Sequence, residues 1–175
     1  MTNTWPNDSD VLTLTAPLIK RFEKLELEPY LCPAGKWTIG YGTTKYPSGI
    51  KVARCDPQID ATTANNYLQS SMLRVLRDMQ KNGAIIRVPT ISQAAAILSL
   101  AYNCGLGCHD GKKGDLADSD LLAKFNLGNI SGAADEFLEW DKAHVWNTGH
   151  TAKIIVVLAG LKSRRKVERD LFLKE

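Results

Sequence analysis

The candidates for acid-base chemistry lie close together near the start of the chain. Glu23 directly follows Phe22 in LIKRFEKLELEPY, at the border of the apolar face of a helix. There a partly desolvated carboxyl holds its proton toward neutral pH and can donate it. A glutamate in a charged run taken alone reads as a solvated surface group, since charged side chains are mostly exposed. Its spacing to the next polar groups alters that reading: eight residues separate Glu23 from Cys32, and five separate Cys32 from Thr38, which opens the run Thr-Ile-Gly-Tyr-Gly.

Other ligand-type residues carry less. Cys104, Cys108 and His109 sit in a glycine-rich stretch, lack a second ligand pair and do not follow zinc-finger spacing, so no metal site is expected. His144 and His150 flank Trp146-Asn147-Thr148-Gly149 with no carboxylate or cysteine at ligand spacing, and surface or capping roles are expected of them.

The elements that must position Glu23 and Thr38 follow from periodicity. Leu18, Ile19, Phe22 and Leu25 recur at helical spacing, with Pro17 placed for a first turn and Thr15 for an N-cap, which predicts a helix over 18–30. Residues 1–12 then form an N-terminal tail. Trp37, Ile39 and Tyr41 alternate as in a strand after the turn-like Pro33-Ala34-Gly35-Lys36. A turn at Tyr46-Pro47-Ser48-Gly49 and the short run Ile50-Lys51-Val52 complete a small sheet.

A long helix is predicted over 61–80, capped by Asp56 or Asp60 and stopped by Asn82-Gly83. The stretch 92–102 is apolar almost all round and reads as a buried central helix, closed by Asn103 and Gly105. Ser119 and Ser131 are placed to cap two short helices, the second running through Phe137 to Trp140, a core tryptophan. The run Gly160 to Leu173 reads as an amphipathic last helix packing Leu161, Val167, Leu171 and Phe172 inward. Its basic cluster of Lys162, Arg164, Arg165, Lys166 and Arg169 then forms a solvated face, with Arg164 and Arg165 available to brace neighbours.

The spacing Glu23, eight residues, Cys32, five residues, Thr38 resembles the motif of the phage-type lysozymes of glycoside hydrolase family 24, the endolysins, in which many members carry aspartate where this chain has Cys32. Gln93 to Gly105 is similar to that family's central helix with its Asn-x-Gly end. Phe137 to Ala143 and Gly160 to Phe172 match two later family segments in order. Ordered segments across nearly the whole chain from Leu18 onward are far rarer by chance than one short motif.

The resemblance implies an α+β, lysozyme-like fold over residues 13–175: a small sheet-containing lobe at about 30–58 and a larger helical lobe, joined by the long helix, with the active site in the cleft between them. It further implies hydrolysis of the β-1,4 bond between N-acetylmuramic acid and N-acetylglucosamine in peptidoglycan, with no cofactor. Glu23 is then the general acid, Cys32 takes the place of a second carboxylate, and Thr38 holds water. A thiol of ordinary pKa, about 8.5, is only slightly ionised at neutral pH, so Cys32 acts with a depressed pKa or by positioning water; otherwise it is a small buried hydrophobe. Two rival readings keep the same fold: a lytic transglycosylase, which needs Glu23 alone, and a wall-binding protein without catalysis.

Bulk properties bound the partners. A formal charge of +3 over 175 residues argues for no nucleic acid partner, which ordinarily needs a dense basic face. No stretch is apolar enough for stable membrane insertion, and the first residues lack a secretory signal pattern. A monomer is expected, made in the host bacterial cytoplasm. It would reach peptidoglycan in the periplasm through a holin or another membrane-permeabilising protein; the same enzyme could instead serve as a secreted antibacterial effector. For a chain of cytoplasmic origin, Cys32, Cys55, Cys104 and Cys108 are expected as reduced thiols.

Overall fold

The computed structural model describes residues 4–32, 35–111, 114–146 and 153–174. The first helix, α1, spans Asp8–Phe22 and is capped by Asn7, whose side-chain oxygen accepts from the Ser9 N–H at 2.8 Å. Asp8 and Asp10 complement the helix dipole in its first turn. The expected tail over 1–12 is therefore corrected, and Val11 is part of the core. Thr15 lies in the helix interior, donating to the Val11 carbonyl at 2.7 Å, and Pro17 is interior too. An interior proline ordinarily costs about 3 kcal/mol; packing of α1 along the central helix offsets it.

The other end of α1 also differs from expectation. The helix stops at Phe22, Glu23 is already extended at φ −94° and ψ 122°, and a strand, β1, occupies Glu26–Leu31. Pro29 supplies a reason, since it has no N–H for a helix and disfavours helical backbone at Glu28.

β1 pairs antiparallel with β2, Trp37–Gly40, with Tyr30 opposite Thr38 and Leu31 opposite Trp37. Isolated bridges Ile39 to Thr43 and Lys45 to Lys51 extend this small lobe. Pro33 and Ala34 of the predicted turn lie outside the described residues.

The connecting helix α2 spans Ala61–Lys81, roughly 30 Å of chain. Of its two candidate caps Asp60 does the work, accepting from the Thr63 N–H at 2.6 Å. The central helix α3, Ile91–Cys104, is buried along most of its length and starts with a capping box between Thr90 and Gln93. Gly105, at φ 86°, closes it, so the helix-closing role expected of Asn103 falls to the glycine.

Ser119 caps α4, Asp120–Asn126, as expected. Asn129 rather than Ser131 caps α5, Ile130–Glu136, and Phe137–Trp140 form a 3-10 turn. Phe172 of the last helix, α6 (Ala159–Phe172), packs its ring 5.7 Å from Phe125 and 5.3 Å from Phe137.

Ahead of α6 lies a hairpin not read from the sequence: β3, Lys142–Trp146, antiparallel to β4, Lys153–Val157. After Lys153, Ile-Ile-Val-Val is a continuous apolar run, whose type periodicity cannot settle. The expected loop at Asn147 to Gly149 and the role of His150 lie outside the described residues, and His144 is placed only as a backbone position in β3.

Candidate active site

The change from α1 to β1 leaves Glu23 at the C-terminal end of a helix, facing the small lobe, with its side chain 23% exposed. Its carboxyl is not left to solvent. Arg164 of α6 donates from Nη1 to Glu23 Oε1 at 2.6 Å, across a gap of 141 residues in sequence.

Arg164 is itself fixed on every side. Its Nε donates to Glu168 Oε1 at 3.0 Å, its Nη2 donates to the Ser99 carbonyl at 3.1 Å, and its guanidinium lies 5.8 Å from the Phe22 ring centre. Ser99 Oγ donates to the same Glu168 oxygen at 2.6 Å. Arg165 bonds the other oxygen of Glu168, the Asn103 side chain and the Trp140 carbonyl. Two guanidiniums and two carboxylates thus form one network, with Arg164, Arg165 and Glu168 fully buried.

The solvated face expected for the last helix holds at Lys162 and Lys166 but not at Arg164 and Arg165, which are buried and take the bracing role expected of them. Arg164, Arg165, Glu168 and Phe172 are its buried residues, while Leu161, Val167 and Leu171 are only half-buried. A signal was available: positions 164, 165, 168 and 172 share one helical face and lead to a phenylalanine. Charge alone masked it, because ionised groups are buried only when paired and the partners are remote in sequence.

Opposite Arg164, the other Glu23 oxygen faces Gly42, where an added Cβ would stand 3.6 Å from Oε2. Gly42 has φ +87°, a conformation that favours glycine. Tyr102 closes this side, its hydroxyl donating to the Tyr41 carbonyl at 2.7 Å. Burial, and then the charge of Glu23, push the Tyr102 phenol well above its ordinary range.

Glu23, Cys32 and Thr38 line one cleft of about 260 Å³, together with Tyr30, Gly42, Thr44, Tyr102 and Asn103. Cys32 is half-buried and is a thiol, as are the other three cysteines. Its backbone N–H donates to the Lys36 carbonyl at 3.0 Å, closing the turn between β1 and β2. Thr38 is buried and its hydroxyl donates to the same Lys36 carbonyl at 3.0 Å, which leaves its oxygen lone pairs to accept. Tyr30 stands near both acids; burial first, then Glu23 and Cys32, raise its phenol above the usual value. Tyr30, Gly42, Thr44, Tyr102 and Asn103 of the cleft, and Arg164, which holds Glu23 without lining the cleft, were left out of the site by sequence reasoning.

Elsewhere, Cys104 Sγ donates to the Leu100 carbonyl at 3.1 Å and His109 Nδ1 lies 2.6 Å from Asp118. Among the described residues no group of three His, Cys, Asp or Glu side chains is arranged to hold a metal.

A carboxyl clamped at one oxygen and lining a cleft with a thiol and a hydroxyl is equipped for proton transfer to a bound ligand. The profile of the family described as phage lysozyme matches residues 20–168. An endolysin of Acyrthosiphon pisum secondary endosymbiont phage 1 is 36% identical over 156 residues, covering 89% of this chain and 92% of the relative. Among solved structures, the endolysin from Escherichia coli O157:H7 phage FAHEc1 superposes with a TM-score of 0.73 at 33% identity, over 94% of this chain and 90% of the other. The muramidase domain of SpmX from Asticaccaulis excentricus does so with a TM-score of 0.70 at 28% identity, over 97% of each chain.

Proposed function

Because the chain belongs to the phage lysozyme family, with an α+β lysozyme-like fold and the peptidoglycan-lysing character of the endolysins, we propose that it hydrolyses the β-1,4 bond between N-acetylmuramic acid and N-acetylglucosamine. The observation that carries this reading is the disposition of the Glu23 carboxyl. Oε1 is held by Arg164 while Oε2 faces the cleft shared with Cys32 and Thr38.

In this mechanism Glu23 is the general acid, which passes a proton from Oε2 to the leaving glycosidic oxygen. Arg164 keeps the carboxyl from turning away, which preserves its alignment with the bond to be cut. Thr38 accepts a hydrogen bond from the attacking water. Cys32, lying on the same cleft, takes the role that a second carboxylate plays in an inverting glycosidase, orienting that water and stabilising positive charge developing on the sugar.

Replacement of Glu23 by glutamine keeps size and hydrogen bonding but removes the transferable proton. Glu23→Gln is expected to stay folded and to lose clearing of a peptidoglycan suspension by about 10²-fold or more. An active Glu23→Gln protein refutes the assignment. Mass spectrometry of the digest identifies the reaction: free reducing muramic acid ends mean hydrolysis, and anhydro ends mean transglycosylation. The same reading makes the enzyme a monomer that waits in the host cytoplasm and needs a holin or similar protein to reach the wall. Co-expression with and without such a protein tests that dependence.

A further inference from the structure

The small lobe carries a second cavity, of about 390 Å³, whose lining includes Lys36, Trp37, Thr44, Lys45, Lys51 and Val52. Thr44 lines this groove and the catalytic cleft alike, so the two adjoin. Along β2, Thr38 lines the cleft and its neighbour Trp37 lines the groove, so the two open on opposite faces of the strand and meet at Thr44. Trp37 is half-buried, Val52 is buried, and the three lysines are exposed around them.

The lysines are held where mutual repulsion is unfavourable. Lys45 and Lys51 face each other as partners in an antiparallel bridge, fixed by the Val52 N–H to the Thr44 carbonyl at 3.1 Å and the Tyr46 N–H to the Ile50 carbonyl at 2.9 Å. Like charges directly opposite on such a pair are destabilising. Among the described residues none of the three lysines forms an ion pair with a carboxylate. Three ammonium groups around an aromatic wall, without an internal counter-ion, match an anion brought by a ligand.

We propose that this groove is an anionic subsite, which binds a carboxylate borne by a muramic acid unit while the sugar chain occupies the adjoining cleft. The inference rests on the muramidase reading for its ligand. The carboxylate can come from the lactyl group of the sugar or from a peptide attached to it; both present the same chemistry to Lys36, Lys45 and Lys51.

The test is co-sedimentation of the Glu23→Gln protein with purified sacculi, alone and with Lys45→Gln and Lys51→Gln added. The added pair is expected to weaken binding by about tenfold, as loss of two exposed ion pairs implies. Sacculi whose carboxylates have been converted to amides should bind the parent as weakly as they bind the lysine variant. Glycan stripped of peptides assigns the source: retained binding means the lactyl carboxylate, lost binding means the peptide. Lys162→Gln with Lys166→Gln, the same charge change on exposed positions of α6, should leave binding intact. Undiminished binding by the groove variant, equal loss in the α6 variant, or full binding of the parent to amidated sacculi would overturn the proposal. Clearing assays with Glu23 restored report separately on the muramidase reading, which can fail or stand whatever the groove does.

Discussion

Arg164 Nη1 and Glu23 Oε1 are 2.6 Å apart, which ties the last helix to the end of the first at the mouth of the cleft. The arginine is 3% exposed, so its charge depends on this partner and on Glu168. Arg164→Met should destabilise the protein by about 3–5 kcal/mol, because it leaves Glu168 partly uncompensated in the interior. Arg164→Lys keeps a charge but loses the fork that reaches Glu23, Glu168 and Ser99 together, and should fall between. Urea unfolding gives the energies, and kcat measured on the folded fraction should drop in both variants if the clamp aligns Glu23.

Cys32 occupies the cleft as a thiol, and the proposed mechanism asks it to do a carboxylate's work. Cys32→Asp should retain substantial clearing activity and Cys32→Ala should be badly impaired. Thiol alkylation should inactivate the wild type and spare Cys32→Asp. Full activity in Cys32→Ala would assign the cysteine to packing and leave Glu23 to act without it.

Gly42 stands beside Glu23 Oε2 with φ +87°, and a Cβ there would make only ordinary contacts at 3.6–3.8 Å. Backbone strain, not crowding, should therefore dominate Gly42→Ala, at about 1–2 kcal/mol. The variant should unfold at lower urea. Because the strain sits against the carboxyl proposed as the general acid, its kcat should fall more than that of Gly83→Ala, a positive-φ glycine at the end of α2.

Asp60 caps α2, and the Thr63 backbone N–H holds its carboxyl below the usual carboxylate range. A folded-state pKa below the unfolded one means that this stabilisation is present above the unfolded value, near 3.8, and is lost as pH falls through the folded value. Asp60→Asn keeps a capping oxygen without the titration. Melting temperatures followed from neutral to acid pH should show the wild type losing more stability than Asp60→Asn below about 3.8. Parallel curves would show that the cap does not couple to pH.

Local chemistry made much of the molecule legible. The strand at Trp37, the long helix after Asp60, the apolar central helix, and the caps at Asp60 and Ser119 are all short-range features. The spacing of Glu23, Cys32 and Thr38 likewise singled out three residues that the fold brings to one cleft. Errors arose where local signals competed. Pro17 looked like a helix start and lies within a helix, Leu25 seemed to continue a helical stripe that ends at Phe22, and the strand run before α6 lacked alternation.

By itself, then, the sequence determined which residue types are available to the chemistry and which turns and helices place them, because capping, proline geometry and hydrophobic period act over a few residues. The tertiary structure decided the electrostatic company those residues keep. Glu23 meets Arg164, Arg164 meets Ser99 and Glu168, and Lys45 faces Lys51 beside the cleft. The first two meetings join positions far apart in the chain, and burial of such charges is tolerable only when the partners arrive together. Desolvation makes each of them costly alone, so neither the place of Arg164 nor the orientation of Glu23 exists until the last helix docks on the first and third.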